Sequence, residues 1–175
     1  YYWCASRMLT LDRTYAKEIL NSIGASQSVT DRERAQIALS YHCLSLLDVF
    51  WVKEENEKIR FEDINLFAHS LSNALVDIAL RGHQMTVTNA HLLASDLSTG
   101  GLYPKAWVRK EDGFYLYKDG GRDAVEREVL ASKICRCFDC HQVLYEQGMF
   151  ENEPVSISKI MTSQRYSLVT YAAYD

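Results

Sequence analysis

Ala106-Trp107-Val108-Arg109-Lys110-Glu111-Asp112-Gly113-Phe114-Tyr115-Leu116-Tyr117-Lys118 holds two short runs rich in aromatic and branched residues, separated by an Asp-Gly turn signal. Such a stretch predicts a β-hairpin, with residues 106–109 and 114–118 as its strands. Downstream, Val125, Val129, Leu130, Ile134 and Phe138 recur along one side of a predicted helix over 123–138. Residues 143–146, 155–160 and 166–171 are further strand candidates.

Upstream of the hairpin the pattern becomes helical. Leu11, Tyr15, Ile19, Leu20 and Ile23 recur at helical spacing before Gly24, which acts as a stop. Thr30-Asp31-Arg32-Glu33 has capping-box form and opens a second helix carrying Ile37, Leu39, Tyr41 and Leu44. Residues 49–52 read as a short strand-like run, and the charged residues 53–58 as an exposed turn. Residues 61–67 and 71–80 look like two more short helices, whereas 85–96 give no clear pattern. The fold class expected is α+β: a helical N-terminal half leading into a small antiparallel β-sheet with one packed helix. The division falls at 1–96, mainly helical, and 97–175, with the two parts forming one compact unit.

Composition bounds the function. The chain has 175 residues, 47% hydrophobic and 24% charged, which suits one soluble globular domain. No stretch approaches the ~18 uninterrupted apolar residues of a membrane span, and the first 30 residues lack a signal-peptide layout, so a cytoplasmic address and no membrane partner are expected. A net charge of -4 argues against a direct grip on nucleic acid, which needs clustered cations. Five cysteines, at 4, 43, 135, 137 and 140, form an uneven set that reads as reduced thiols. The aromatic opening Tyr1-Tyr2-Trp3-Cys4 and the strand-like far end lead us to expect a piece of something larger.

Around the hairpin lie parts that a nucleotide-binding lobe needs. Ser98-Thr99-Gly100-Gly101 is a small-residue loop before the first strand, Lys118 ends the second strand, and Glu128 lies ten residues later on the helix. A glycine turn lets backbone N–H groups approach phosphate, a strand lysine neutralises it, and a helix carboxylate holds that lysine. By pattern alone, a hairpin packed on an amphipathic helix with both charges solvated remains the alternative.

Three stretches, residues 98–108, 115–121 and 127–134, together resemble the N-terminal lobe of HipA-like serine/threonine kinases, most closely the group found in Gram-positive bacteria and their mobile elements. The similarity extends back through residues 42–53, His42-Cys43-Leu44-Ser45-Leu46-Leu47-Asp48-Val49-Phe50-Trp51-Val52-Lys53, and residues 61–67. These echo that group's "GLSLSDxYWIK" and "WEDINFF" stretches, so the resemblance covers most of the chain in the family's order. It implies a kinase N-lobe-like sheet in which Lys118 meets the ATP phosphates and Glu128 is its helix partner. Gly100, Gly101 and Lys105 then fall in the phosphate-facing loop, and Ser98 stands at the family's autophosphorylated serine. Two departures are the stiff Tyr103-Pro104 before Lys105 and Arg127 where these proteins often carry an asparagine.

The family's catalytic stretch, of the form "NxDRHxxN", does not occur between Tyr1 and Asp175. No catalytic residue is therefore assigned in this chain, and magnesium ligands are expected in a C-terminal kinase lobe. Phosphoryl transfer depends on positioning and electrostatic stabilisation, so a lobe without base and metal ligands is an incomplete kinase. The resemblance implies that C-terminal lobe and an antitoxin-like protein as partners. The alternative is a protein-interaction module, a split or regulatory lobe of a toxin–antitoxin-type system without catalysis.

Other chemistry has less support. Cys135, Cys137, Cys140 and His141 lie within seven residues, but in a continuous helix Cys135 and Cys137 point roughly 200° apart, and no second ligand pair follows, so no metal site is assigned. His42, His69, His83 and His91 lack zinc-binding spacing, and no serine sits in a G-x-S-x-G setting. Trp3, Trp51 and Trp107 read as core or lobe-contact aromatics.

Overall fold

A computed structural model describes residues 1–25, 30–68, 97–169 and 171 of the chain. Among the described residues, four helices are delimited before the sheet: α1 (Tyr2–Ser6), α2 (Ala16–Ser22), α3 (Asp31–Ser40) and α4 (Phe61–Ile64). The hairpin β1 (Lys105–Lys110) and β2 (Gly113–Lys118) follows, then α5 (Arg122–Cys135), and then β3 (Tyr145–Phe150) and β4 (Glu153–Lys159). The strands form one antiparallel sheet in the order β1-β2-β4-β3. The fold is α+β, as the sequence predicts.

Local chemistry explains most element boundaries. α3 opens on the expected capping box: the Thr30 side chain accepts from the Glu33 N–H, and Glu33 Oε2 accepts from the Thr30 N–H at 2.7 Å. α2 is shorter than the predicted 11–23, because Tyr15 at its N-cap adopts a left-handed φ of 63°, which a helix interior does not allow. α4 spans four residues rather than seven. Asn65 leaves the helix in an extended conformation, and its side-chain amide bonds back to the Phe61 carbonyl at 3.1 Å. The helix predicted over 71–80 lies outside the described residues.

The first hairpin turns at Glu111 and Asp112, with Gly113 already paired to Lys110 at a φ of 135°. β3 and β4 form a second hairpin, turning at Glu151 (φ 49°) and Asn152 (φ 67°). Two consecutive positive φ values are the mirror-image turn that matches strand twist. Here they fall on Glu-Asn rather than Asn-Gly, so the strand predicted at 143–146 is displaced to Tyr145–Phe150. α5 ends at Cys135, short of the predicted Phe138. Beyond it, the N–H groups of Cys137 and Phe138 bond three residues back, to Ile134 and Cys135, which closes the helix in tight turns. Its buried face carries Val125, Val129 and Ser132, while Leu130, Ile134 and Phe138 are exposed, against the single apolar side expected.

Two predicted strands do not form. Residues 49–52 and 166–169 are irregular, with a single isolated bridge between Ser163 and Tyr166. They lie beside each other all the same: the Leu168 N–H donates to the Leu47 carbonyl at 2.8 Å, and the Val49 N–H to Ser167 Oγ at 3.2 Å. Residues 53–58 form the expected surface turn, with all but Glu57 exposed.

One core joins the helical stretch to the sheet. Leu9, Ile19, Leu20, Tyr41, Leu44 and Leu46 pack in a cluster with Leu97, Ala106, Trp107 and Phe114. Beside it, the Arg7 guanidinium pairs with the Asp48 carboxylate on both nitrogens and donates from Nε to the Cys43 carbonyl at 3.0 Å. That pair fixes residues 43–50 against α1. The result is a braced floor beneath residues 97–107.

Candidate functional site

Side-chain alternation along antiparallel strands decides which residues share a face. Lys105 lies opposite Lys118, and Trp107 opposite Leu116; Leu116 in turn pairs with Ser158, and Lys118 with Ser156. Two lysines, an indole and two serines therefore occupy one face of the sheet. A cavity of about 300 Å³ opens there, lined by Thr99, Gly100, Lys105, Trp107, Leu116 and Lys118, and walled farther out by Leu47, Ile160, Met161 and Leu168.

The predicted Lys118–Glu128 pair is formed. Lys118 Nζ donates to Glu128 Oε1, and Ser156 Oγ donates to the second carboxylate oxygen at 2.5 Å. α5 thus presents a carboxylate that is oriented from two strands, each interaction charge-assisted. Ser156 is a member of this cluster that sequence reading missed. Its only signal is the strand register, which sets it opposite Lys118.

Lys105 is 5% exposed, and its Nζ donates to the Gly100 carbonyl at 2.6 Å. Burial pushes its pKa down to about 8, helped by the nearby positive charges of Arg13 and Lys118 and opposed by Glu128. Gly101 has a φ of 102°, which favours glycine, and a Cβ there would displace the Lys105 ammonium from its place on the loop. The loop and Lys105 form a single packed unit.

Of the sequence-predicted residues, Gly100, Lys105 and Lys118 line the cavity, Glu128 stands behind Lys118, and Gly101 abuts Lys105. Ser98 is not among the cavity-lining residues. Its hydroxyl donates to Ser45 Oγ at 3.0 Å, beneath the loop. Trp107 is buried and donates from Nε1 to Thr99 Oγ1 at 2.9 Å; Trp51 is half-buried, while Trp3 is exposed with the Arg7 guanidinium over its ring. Cys135, Cys137 and Cys140 are exposed free thiols. Among the described residues, no three His, Cys, Asp or Glu side chains come together as a metal site, and no helix is long and apolar enough to cross a membrane.

The arrangement is suited to an anion. Lys105 and Lys118 line a half-enclosed cavity beside Gly100, with Glu128 paired to Lys118 behind it, and charges there are screened less than at an open surface. Comparison with protein-family models, with curated proteins and with solved structures gives no match to this chain. The kinase resemblance therefore rests on the sequence motifs.

Proposed function

We propose that this chain is the ATP-phosphate-binding N-terminal lobe of a HipA-like serine/threonine protein kinase working in the cytoplasm, and that it is not catalytically complete in these residues. The supporting observation is the Lys118–Glu128 ion pair, set beside Lys105 and the Gly100-Gly101 loop on one cavity. In this reading Lys118 neutralises phosphate oxygens, Glu128 and Ser156 hold its position, and Lys105 turns from the Gly100 carbonyl to the phosphates. The apolar wall of Leu47, Leu116 and Ile160 would receive the base. Bound ATP with magnesium would supply the transferable phosphoryl group. The metal ligands and the catalytic aspartate belong to a helical lobe supplied as a partner.

The test is titration of residues 1–175 with ATP, followed by amide and lysine side-chain NMR. Weak binding with shifts at Gly100, Gly101, Lys105 and Lys118 is expected, and radiolabelled ATP with magnesium should transfer no phosphate to the chain. Shifts elsewhere, or none at millimolar ATP, would end the reading.

A second reading has its own observation. Leu130, Ile134 and Phe138, at four-residue steps on and just past α5, are 57%, 55% and 64% exposed. An apolar row of that kind favours the protein-interaction module of a toxin–antitoxin-type system. Partner binding that is unaffected by nucleotide would separate it from the first reading.

A further inference from the structure

The loop at residues 99–105 has a consistent polarity. Arg13, only 3% exposed, donates from one guanidinium nitrogen to the Lys105 carbonyl at 2.7 Å and from the other to the Thr99 carbonyl at 3.3 Å. The Thr14 N–H donates to the Leu102 carbonyl at 2.9 Å, Lys105 Nζ to the Gly100 carbonyl, and the Asp119 N–H to the Pro104 carbonyl at 2.9 Å. Five carbonyl oxygens of the loop are thus held by donors from the protein. Among the described residues, no hydrogen bond is made by the N–H groups of Gly100, Gly101, Leu102 or Tyr103.

Such one-sidedness needs a cause. Glycine has no Cβ to bias its peptide planes, so Gly100 and Gly101 can rotate a carbonyl toward the cavity as readily as an N–H. A carbonyl turned inward would repel an anion, whereas a run of inward N–H groups makes an anion-binding concavity. Donors on the Thr99, Leu102, Pro104 and Lys105 carbonyls remove that choice at those positions, whereas the Gly100 carbonyl is released when Lys105 turns to the phosphates. Arg13 is well suited to this because its planar fork reaches two acceptors at once, here six residues apart on one loop, which a single ammonium group cannot reproduce.

Resting on the phosphate-site reading above, we propose that Arg13 is a positioning residue of that site: with the Thr14 amide, it pins the carbonyls of Thr99, Leu102 and Lys105 so that the loop's N–H groups remain for a phosphate chain. The ligand class is a polyphosphate, engaged by backbone amides as well as by Lys105 and Lys118. The guanidinium also adds a positive charge near Lys105.

Inorganic tripolyphosphate is the probe, titrated into residues 1–175 as wild type and as Arg13→Lys, with folding followed by circular dichroism. In the wild type, the amide resonances of Gly100, Gly101, Leu102 and Tyr103 should shift with the lysine side chains. Arg13→Lys should bind roughly tenfold more weakly, the loss expected for a charge-assisted hydrogen bond, with the loop-amide shifts reduced more than the lysine shifts. Equal affinity and equal amide shifts in folded Arg13→Lys would overturn the role of Arg13 and leave the phosphate site standing. Absence of tripolyphosphate binding in the wild type would overturn both. Should Arg13→Lys fail to fold, the wild-type titration still decides: lysine shifts without loop-amide shifts would refute the pinned-loop proposal.

Discussion

Lys105 and Lys118 sit directly opposite each other across the β1–β2 ladder, one ammonium resting on the Gly100 carbonyl and the other on Glu128. Like charges in that relation destabilise a sheet, and a single carboxylate only partly offsets two cations. The excess positive charge faces a cavity. A site of this kind becomes more stable when an anion enters it.

Replacing Lys118 by methionine removes one of the two cations while keeping much of the apolar stem. The ion pair is about one-quarter exposed on each side, so its loss should cost about 1 kcal/mol and leave the chain folded. Tripolyphosphate affinity should fall roughly tenfold, the scale of a lost charge-assisted contact. Glu128→Gln, which keeps the cation and loses only its holder, should bind better than Lys118→Met. Calorimetric titration of both variants beside thermal melts tests the order.

The depressed pKa of Lys105 gives a pH dependence with two opposite signs. Its folded value, about 8, lies below the ordinary 10.5, so between those values the unfolded chain binds more protons than the folded one. Stability attributable to Lys105 therefore rises with pH from about 8 to about 10.5, and its penalty is full below 8. Anion binding needs the charged amine, so phosphate affinity should drop as pH passes through about 8. Lys105→Met should lose both effects. Parallel unfolding and binding profiles from pH 7 to 10 would expose a flat wild-type response, which would contradict this assignment.

Asp48→Ala should be severely destabilising, by about 3 kcal/mol, because it leaves the Arg7 guanidinium buried without its carboxylate. The Asp48 Oδ1 that accepts the Phe50 N–H is lost at the same time. Urea unfolding monitored by circular dichroism gives the number. A change below 1 kcal/mol would mean that water replaces the carboxylate at this position.

Thr30→Ala serves as a control far from the cavity. Loss of the cap should cost about 1 kcal/mol of stability with no change in tripolyphosphate affinity. Because the Thr30 hydrogen bonds hold the Glu33 carboxyl below its usual value, the capping contribution is present above the unfolded carboxyl's pKa and is lost as pH falls through the folded one. Melting temperatures at pH 7 and pH 3 should therefore differ less in the variant than in the wild type.

Where the sequence carries strong local chemistry, it was legible. The first hairpin and the capping box at Thr30 depend on residues whose type restricts their conformation, whereas the Lys118–Glu128 pair was expected from the family resemblance, spacing alone leaving both charges solvated as the alternative. Tertiary context decided the rest. Residues 49–52 and 166–169 have strand-like composition, yet they meet through only a few bonds, which shows that β-propensity describes packing more than backbone. Arg13 carried no signal, because the carbonyls it binds lie 86 and 92 residues away along the chain. Ser156 was invisible for the same reason, its role coming from register. The apolar face of α5 was misread because Leu130 and Ile134 extend a helical pattern that the sheet does not cover.

The hydrogen bond from the Trp107 indole to the Thr99 hydroxyl has an optical consequence. Trp107 is 4% exposed and borders both the glycine loop and the cavity, whereas Trp3 is 42% exposed on the surface and Trp51 is half-buried. Its emission should lie toward the blue and resist iodide, whereas that of Trp3 should be readily quenched. Any rearrangement of residues 99–101 changes the neighbour of the indole nitrogen. The protein thereby carries its own fluorophore at the loop, able to report occupancy of the cavity without a label.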